Sequence, residues 1–133
     1  MAGYSGTPLP KKLGIKEHTN VRLLAPPAGF RRTLGGLPAG ATVTEAAADQ
    51  PDLVIWFVRS DRHLQAGLAQ VLPLAAQAPV WIAWPKKGSA LAADLTQVRV
   101  RATALAAGLV DYKICAIDET WSGLLFTRRS ADR

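Results

Sequence analysis

The 133-residue chain has little of several features that usually narrow a protein's function. Its single cysteine, Cys115, excludes an internal disulfide, and nothing else in the sequence points to export. No apolar run approaches the ~18 to 20 residues that a membrane-spanning helix needs. The first residues, "MAGYSGTPLPKKLG", lack the apolar stretch of a secretory signal. We therefore expect a cytoplasmic protein that makes no contact with a membrane.

Motifs that mark well-known chemistries are also missing. His18 and His63 have no second histidine or cysteine at metal-ligand spacing. The sequence contains no Walker loop, no G-x-S-x-G elbow and no pattern typical of a catalytic triad. Cys115 lies in the apolar run "KICAI", which is typical of a buried, inert thiol. The sequence therefore predicts no metal site and no catalytic residue, and it leaves any cofactor unknown.

The composition that is present describes a globular domain. Hydrophobic residues make up 49% of the chain and charged residues 20%, and the length fits a single domain. We divide the chain into an N-terminal arm (1–20), an α/β core (21–129) and a short tail (130–133). Three interpretations of the arm stay open: a lid over the core, a contact with a second subunit, or a poorly ordered terminus.

The charge balance is basic, with 16 lysines and arginines against 10 acidic residues and a formal net charge of +6. A basic balance favours phosphorylated or nucleic-acid partners in general. The basic residues of this chain occur in small groups, and no block reaches five like charges. We therefore interpret most of them as a solvated surface and treat nucleic acid as a disfavoured partner.

Apolar runs bounded by turn residues predict six strands. The runs "LVIWFV" and "VWIAW" are continuously apolar, as strands are when both faces of a parallel sheet are covered. Strands are predicted over residues 21–25, 41–46, 53–58 and 80–84, followed by "VDYKICAIDE" and "LLFTRR" around a turn at "TWSG". With helices between them, this order predicts an α/β fold: a three-layer Rossmann-like sandwich, mainly parallel, with a C-terminal antiparallel β-hairpin.

Two helices between these strands have recognisable ends. Asp61 and Asp94 are predicted to cap their N-termini, because a carboxylate accepts hydrogen bonds from the free amides of a first turn. The second helix is predicted over residues 95–107 and ends at Gly108. Its predicted core face consists of four apolar residues at helical spacing: Leu95, Val98, Ala102 and Leu105.

In topology, the chain resembles the class I methyltransferase version of the Rossmann-like fold. "PDLVIWFV" and "APVWIAWPKK" are similar to its fourth and fifth strands, and "YKICAIDETWSGLLFTRR" is similar to its terminal hairpin. The resemblance implies a glycine-rich turn after the first strand, where the cofactor binds. Here that turn is "APPAGF", with one glycine, Gly29. Glu45, at the end of the second strand, is a weak candidate for binding a ribose. This departure argues against methyl transfer and against dinucleotide binding.

In sequence, the chain resembles a family of small bacterial proteins known as a conserved domain of unknown function. The strings "YSGTPLPKKLGI", "WIAWPKK" and "DLTQVRVRATALAAGLVDYKICAIDETWSGLLFTRR" match that family almost end to end. The resemblance implies a bacterial, cytoplasmic protein, and it supplies no reaction.

A binding site is expected where parallel strands end, since ligands of open α/β sheets bind beyond the carboxyl ends of the strands. The candidate residues that follow those strands are Trp84, Lys86, Lys87, Ser89, Asp118, Glu119 and Trp121. The two lysines either hold a phosphate or carboxylate, with Ser89 as a further donor, or they are solvated or paired with Asp118 or Glu119. Trp84 and Trp121, at strand ends, are candidates to line a pocket.

Four functions compete at this stage. The favoured one is a non-catalytic or regulatory domain that binds a small anionic ligand at the carboxyl edge of the sheet. The alternatives are a divergent methyltransferase-like enzyme with altered cofactor use, a weak nucleic-acid binder, and a protein–protein interaction module, which includes association into a homo-oligomer.

Overall fold

A computed structural model describes residues 7–47 and 50–129 of the chain. The elements follow one another as α1 (Leu9–Leu13), β1 (Asn20–Leu24), α2 (Phe30–Leu34), β2 (Thr42–Thr44), β3 (Leu53–Phe57), α3 (Asp61–Ala75), β4 (Val80–Pro85), α4 (Gln97–Ala106), β5 (Leu109–Ala116) and β6 (Trp121–Arg128).

The six strands form one sheet in the order β2-β1-β3-β4-β6-β5. Strands β1 to β4 pair in parallel, and β6 pairs antiparallel with both β4 and β5. The predicted α/β class, the largely parallel sheet and the terminal hairpin are therefore confirmed. The predicted turn at "TWSG" is wrong, because Trp121 pairs with Pro85 and Ser122 with Trp84 inside the ladder.

Each face of the sheet has its own hydrophobic core. Strands β3 and β4 are buried along their whole length, as their continuous apolar runs predicted. Alternation along β4 sends Trp84 to the face covered by α3 and α4, and Trp81 to the face covered by α1 and α2. The fold is therefore a three-layer sandwich with the sheet in the middle.

The part of the N-terminal arm that is described belongs to this sandwich. Leu13 and Ile15 are buried against the sheet. The indole Nε1 of Trp81 donates a 2.9 Å hydrogen bond to the carbonyl of Leu13, which fastens α1 to the middle of the sheet. Of the three interpretations of the arm, a poorly ordered terminus is wrong for residues 9–15, whereas residues 1–6 lie outside the described part.

The helix caps differ from the prediction. The Ser60 hydroxyl caps α3 by accepting from the amide of His63, and Thr96 caps α4 in the same way. Both residues have extended backbones, which aim the hydroxyl at the first turn. Asp61 therefore lies inside α3, and its amide donates to the carboxylate of Asp94 at 2.8 Å.

The predicted core face of α4 is also wrong. The buried helical residues are Val100 and Ala104, while 74% of Val98 is exposed. Leu95 is buried, but it precedes the helix, which begins at Gln97. Because the helical spacing was counted from a residue outside the helix, it selected the opposite side of α4.

Candidate functional site: the carboxyl edge of the sheet

The loop after β1 is built differently from a phosphate-binding turn. Ala25 has a φ of +54°, and Gly29 has a φ of +82° at the start of α2. A Cβ atom placed on Gly29 would meet no atom within 4 Å, so the glycine supplies backbone conformation and not a close approach. The helix that follows has only five residues, so it presents little dipole to a ligand.

Arg31 and Glu45 form an ion pair across the mouth of a small cavity at this end of the sheet. Their side chains are 3.5 Å apart, and Arg31 Nη2 donates to the carbonyl of Val43 at 3.1 Å. The cavity has a volume of about 220 Å³, and its lining is about half polar and half apolar. Besides the ion pair, it is lined by Leu23, Pro26, Pro27, Ala28, Gly29 and Phe30. The Glu45 carboxylate, which the sequence suggested as a weak candidate for binding a ribose, is therefore already paired with Arg31.

Arg59, the second residue beyond β3, spans the crevice between the ends of neighbouring strands. Its Nη1 donates a 2.9 Å hydrogen bond to the carbonyl of Ala25, beyond the end of β1. Its guanidinium carbon lies 5.3 Å from the centroid of the Trp121 ring, at the start of β6. Arg59 therefore occupies the point where α2 and α3 leave the sheet towards opposite faces, which is where ligands of such sheets bind.

The indole under Arg59 is held rigidly. The Trp121 ring packs edge to face on Phe57, at 5.1 Å between centroids, and Phe57 packs in the same way on Phe30 at 4.8 Å. One oxygen of Asp118 accepts hydrogen bonds of 2.8 Å from the amides of Thr120 and Trp121. The aromatic row and the turn together fix the surface on which the guanidinium rests.

His63 supports the same strand end from inside α3. Its Nδ1 accepts a 3.2 Å hydrogen bond from the amide of Arg59, and its ring contacts Trp56 edge to face. Burial lowers the pKa of His63 below its ordinary value, and the positive charge of Arg59 lowers it further. The neutral imidazole that accepts from Arg59 is thus the favoured form.

The two lysines of "WPKKGS" lie in different environments. The Lys86 amide donates to the carbonyl of Thr120 at 2.7 Å, which ties Lys86 to the turn before Trp121, and its side chain is half-buried. Lys87 is exposed. The Ser89 hydroxyl donates to the Lys86 carbonyl at 2.8 Å, so Ser89 closes a turn. Of this group, Lys86 is the cation placed at the edge.

The remaining candidate residues have structural environments. Asp118 forms the turn described above, and Glu119 is exposed. Only 4% of Trp84 is exposed, and it lies in the core beneath α3 and α4. Trp121 is buried as well, but the guanidinium of Arg59 covers its ring. Neither tryptophan lines an open pocket as the sequence led us to expect.

Cys115 is buried, as predicted, and lies among lysines. Burial raises the pKa of its thiol, and the positive charges of Lys12, Lys113 and Lys86 partly oppose that rise. Lys12 Nζ donates to the carbonyl of Ala116 at 3.1 Å, at the carboxyl end of β5. Positive charge thus accumulates at this end of the sheet.

Arg59 is not among the site residues that the sequence predicted. The sequence feature that could have identified Arg59 is its position, two residues after a continuously apolar strand. Its partner Trp121 is distant in the sequence, so only the sheet order brings the two together.

Two further features concern where a ligand or a metal ion could bind. Within residues 7–47 and 50–129, no three histidine, cysteine or acidic side chains lie close enough together to hold a metal ion. A larger open depression of about 1220 Å³ lies at the opposite edge, beside the C-termini of α3 and α4. Its lining combines alanines and prolines with Gln77, Thr127, Arg128 and Arg129, and it lies away from the carboxyl ends of the parallel strands, where ligands of such sheets bind.

Comparison with known proteins identifies the family but not an activity. The family model described as "Protein of unknown function (DUF3052)" matches residues 30–130, so the chain belongs to that family. No curated protein matches the sequence. None of the helices in the described residues is long and apolar enough to cross a bilayer.

Solved structures share the fold. A SAM dependent methyltransferase from Aquifex aeolicus aligns with a TM-score of 0.58 and 14% identity, over 87% of this chain and 85% of that one. A protein of the NADB-Rossmann superfamily from Streptococcus agalactiae aligns with a TM-score of 0.61 and 8% identity, over 95% of this chain and 69% of that one. At these sequence identities, the similarity shows only that the chain shares the Rossmann-like, methyltransferase-like fold.

Proposed function

We propose that this protein is a binding domain for a small anionic ligand, with a phosphate or carboxylate group held at the carboxyl edge of the sheet. Arg59 is the principal receptor in this proposal, and Lys86 is the second cation. The role is non-catalytic or regulatory, and it is exercised in the cytoplasm.

The observation that supports this most strongly is the placement of Arg59. A guanidinium has five N–H donors in a fixed plane, which suits the oxygens of phosphate and carboxylate groups. Within the described residues, the carbonyl of Ala25 takes one of these donors. The others are available to a ligand, while Trp121 and Ala25 already hold the group in position. Such preorganisation reduces the ordering cost of binding.

The same region gives less support to a methyltransferase-like enzyme. The fold likeness to a SAM dependent methyltransferase makes S-adenosyl compounds reasonable ligands to test. However, Glu45 is paired with Arg31, and two prolines stand in the loop that would approach the cofactor. A ligand with an anionic group suits Arg59 better than one that needs a free carboxylate at Glu45.

A thermal-shift screen followed by calorimetry tests the proposal. The library contains nucleotides, sugar phosphates, small carboxylates and S-adenosyl compounds. A ligand at 100 times its Kd should stabilise the wild type by about 2.7 kcal/mol, which is several degrees in Tm for a domain of this size. The Arg59→Gln variant should lose that ligand-induced shift. The matched control is Arg62→Gln, which removes an exposed cation of α3. A shift that survives in Arg59→Gln would contradict the proposal, as would a library without a hit.

A further inference from the structure

Cations from separate segments of the chain approach the turn at residues 117–120, which joins β5 to β6 and which we call the hairpin turn. Arg59, beyond β3, lies over the ring of Trp121, the first residue of β6. Lys86, beyond β4, is tied to the hairpin turn by the hydrogen bond from its amide to the carbonyl of Thr120. The proposed function assigns these two cations to one anionic group.

Lys12 of α1 reaches the other side of the hairpin turn. Its Nζ donates to the carbonyl of Ala116, the last residue of β5, and the following amide, that of Ile117, donates to the carbonyl of Trp121 at 2.9 Å. This chain of contacts keeps the ammonium group within ~8 Å of the Trp121 carbonyl. Lys12 and Arg59 therefore lie on the backbone side and the ring side of the same tryptophan.

The electrostatics of Cys115 agree with this convergence. The positive charges of Lys12, Lys113 and Lys86 all oppose the rise in the pKa of its thiol that burial causes. The thiol and the Lys12 ammonium group also donate to the same acceptor, the carbonyl of Ala116. Lys113 lies two residues before Cys115 on β5, so its side chain leaves the same face of the sheet.

Few acids offset these charges. Asp118 and Glu119 belong to the hairpin turn, but one oxygen of Asp118 already accepts from two backbone amides, and Glu119 is exposed. In the part of the chain that the structure describes, neither acid forms an ion pair, and neither do Arg59, Lys86 and Lys113. Cations outnumber acids around the hairpin turn, which favours a ligand that brings more than one negative charge.

We propose that the hairpin turn binds the diphosphate group of a ligand, an inference that rests on the proposed anion site at Arg59. One phosphate lies at Arg59 and Lys86, and the second lies towards Lys12 and Lys113. A single phosphate is too small to reach cations on both the ring side and the backbone side of Trp121, whereas two linked phosphates extend far enough. Lysines bind phosphate as point charges, so the second position needs no planar set of donors.

This position differs from the phosphate-binding turn of Rossmann-like folds. There, the pyrophosphate lies at the glycine-rich turn after the first strand and at the N-terminus of the next helix. In this chain that loop contains Pro26 and Pro27, and α2 has only five residues. The proposed diphosphate lies at the opposite hairpin and is held by side chains.

Calorimetric titration of the full chain with inorganic phosphate and inorganic pyrophosphate tests this inference, at constant pH and ionic strength and without divalent cations. The wild type should bind pyrophosphate more tightly than phosphate by about tenfold or more, because only pyrophosphate reaches both groups of cations. Lys12→Gln should reduce that preference on the order of tenfold. The matched control is Lys11→Gln, which removes the exposed neighbouring charge of the same helix and should keep the preference.

Two further variants separate charge from folding. Lys12→Arg retains the positive charge and should keep most of the preference for pyrophosphate. Lys113→Gln changes an exposed residue of β5, so the fold should tolerate it, and it should also reduce the preference. Lys113→Gln therefore keeps the inference testable if Lys12→Gln does not fold.

Three results would overturn the inference and leave the Arg59 site standing. They are equal affinity of the wild type for the two anions, a preference for pyrophosphate that survives in both Lys12→Gln and Lys113→Gln, and tighter binding of succinate than of pyrophosphate. Binding of both phosphate anions that survives in Arg59→Gln would instead overturn the proposed function itself.

Discussion

The guanidinium carbon of Arg59 lies 5.3 Å from the centroid of the Trp121 ring, although the two residues are far apart in the sequence. This contact joins the end of β3 to the start of β6 across the end of β4, which lies between them in the sheet. It places a planar cation at the centre of the carboxyl edge, and the proposed anion site depends on it.

The first prediction separates the two adjacent lysines. Lys86→Ala should weaken binding of any ligand that requires Arg59, because it removes the positive charge of a half-buried side chain whose backbone is fixed to the turn that precedes Trp121. Lys87→Ala should leave that affinity unchanged, because Lys87 is an exposed residue of the following loop. Calorimetric titration of both single variants checks this. Equal weakening in the two variants would show that the pair acts only through its net charge.

The second prediction concerns packing between α3 and the sheet. A Cβ atom at Gly67 would overlap the ring of Trp56, which is buried in the core. Overpacking typically costs about 1 to 3 kcal/mol, and the better helix propensity of alanine returns up to about 1 kcal/mol. Gly67→Ala should therefore lower the free energy of unfolding by about 1 to 2 kcal/mol, measured with urea.

Gly88→Ala is the matched control for that substitution, because a Cβ there would meet no atom within 4 Å. Its stability should stay within about 0.5 kcal/mol of the wild type. A stabilised Gly67→Ala protein would mean that the Trp56 ring has room to move.

The third prediction is a pH dependence that arises from Asp61. Hydrogen bonds from Arg99 hold the pKa of Asp61 below its ordinary value of 3.8, against the opposing effect of burial. Because the folded pKa is the lower one, the ion pair stabilises the protein above the ordinary pKa. That contribution disappears as the pH falls through the folded pKa.

Urea midpoints of wild type and Asp61→Asn, measured across this pH range, test that sign. The wild type should be the more stable protein at neutral pH, and the difference should shrink as the pH falls below 3.8 and disappear once Asp61 is protonated in the folded protein. High salt should reduce the difference at neutral pH, because the Arg99 side chain is 56% exposed. A difference that grows on acidification would contradict the account.

Much of the fold could be predicted because its signals are local. The runs of β3 and β4 are apolar on every residue, so their strands and their burial on both faces followed from the sequence alone. The C-terminal hairpin followed from two closely spaced strands. The turn was misplaced because its cause is the carboxylate of Asp118, which a composition of turn-forming residues does not reveal.

The site was harder to predict because its contacts join distant segments. Arg59 acquires its role from Ala25 and Trp121, which only the strand order brings near. Asp61 was expected to cap α3, but the neighbouring Ser60 takes the cap and leaves the carboxylate to Arg99.

The most direct test of the anion site compares Arg59→Lys with Arg59→Gln, using the ligand that most stabilises the wild type. A lysine keeps the charge but loses the planar set of donors. We expect calorimetry to show clear weakening in Arg59→Lys, loss of detectable binding in Arg59→Gln, and wild-type affinity in the control Arg62→Gln. Wild-type affinity in Arg59→Gln would contradict the central role of Arg59.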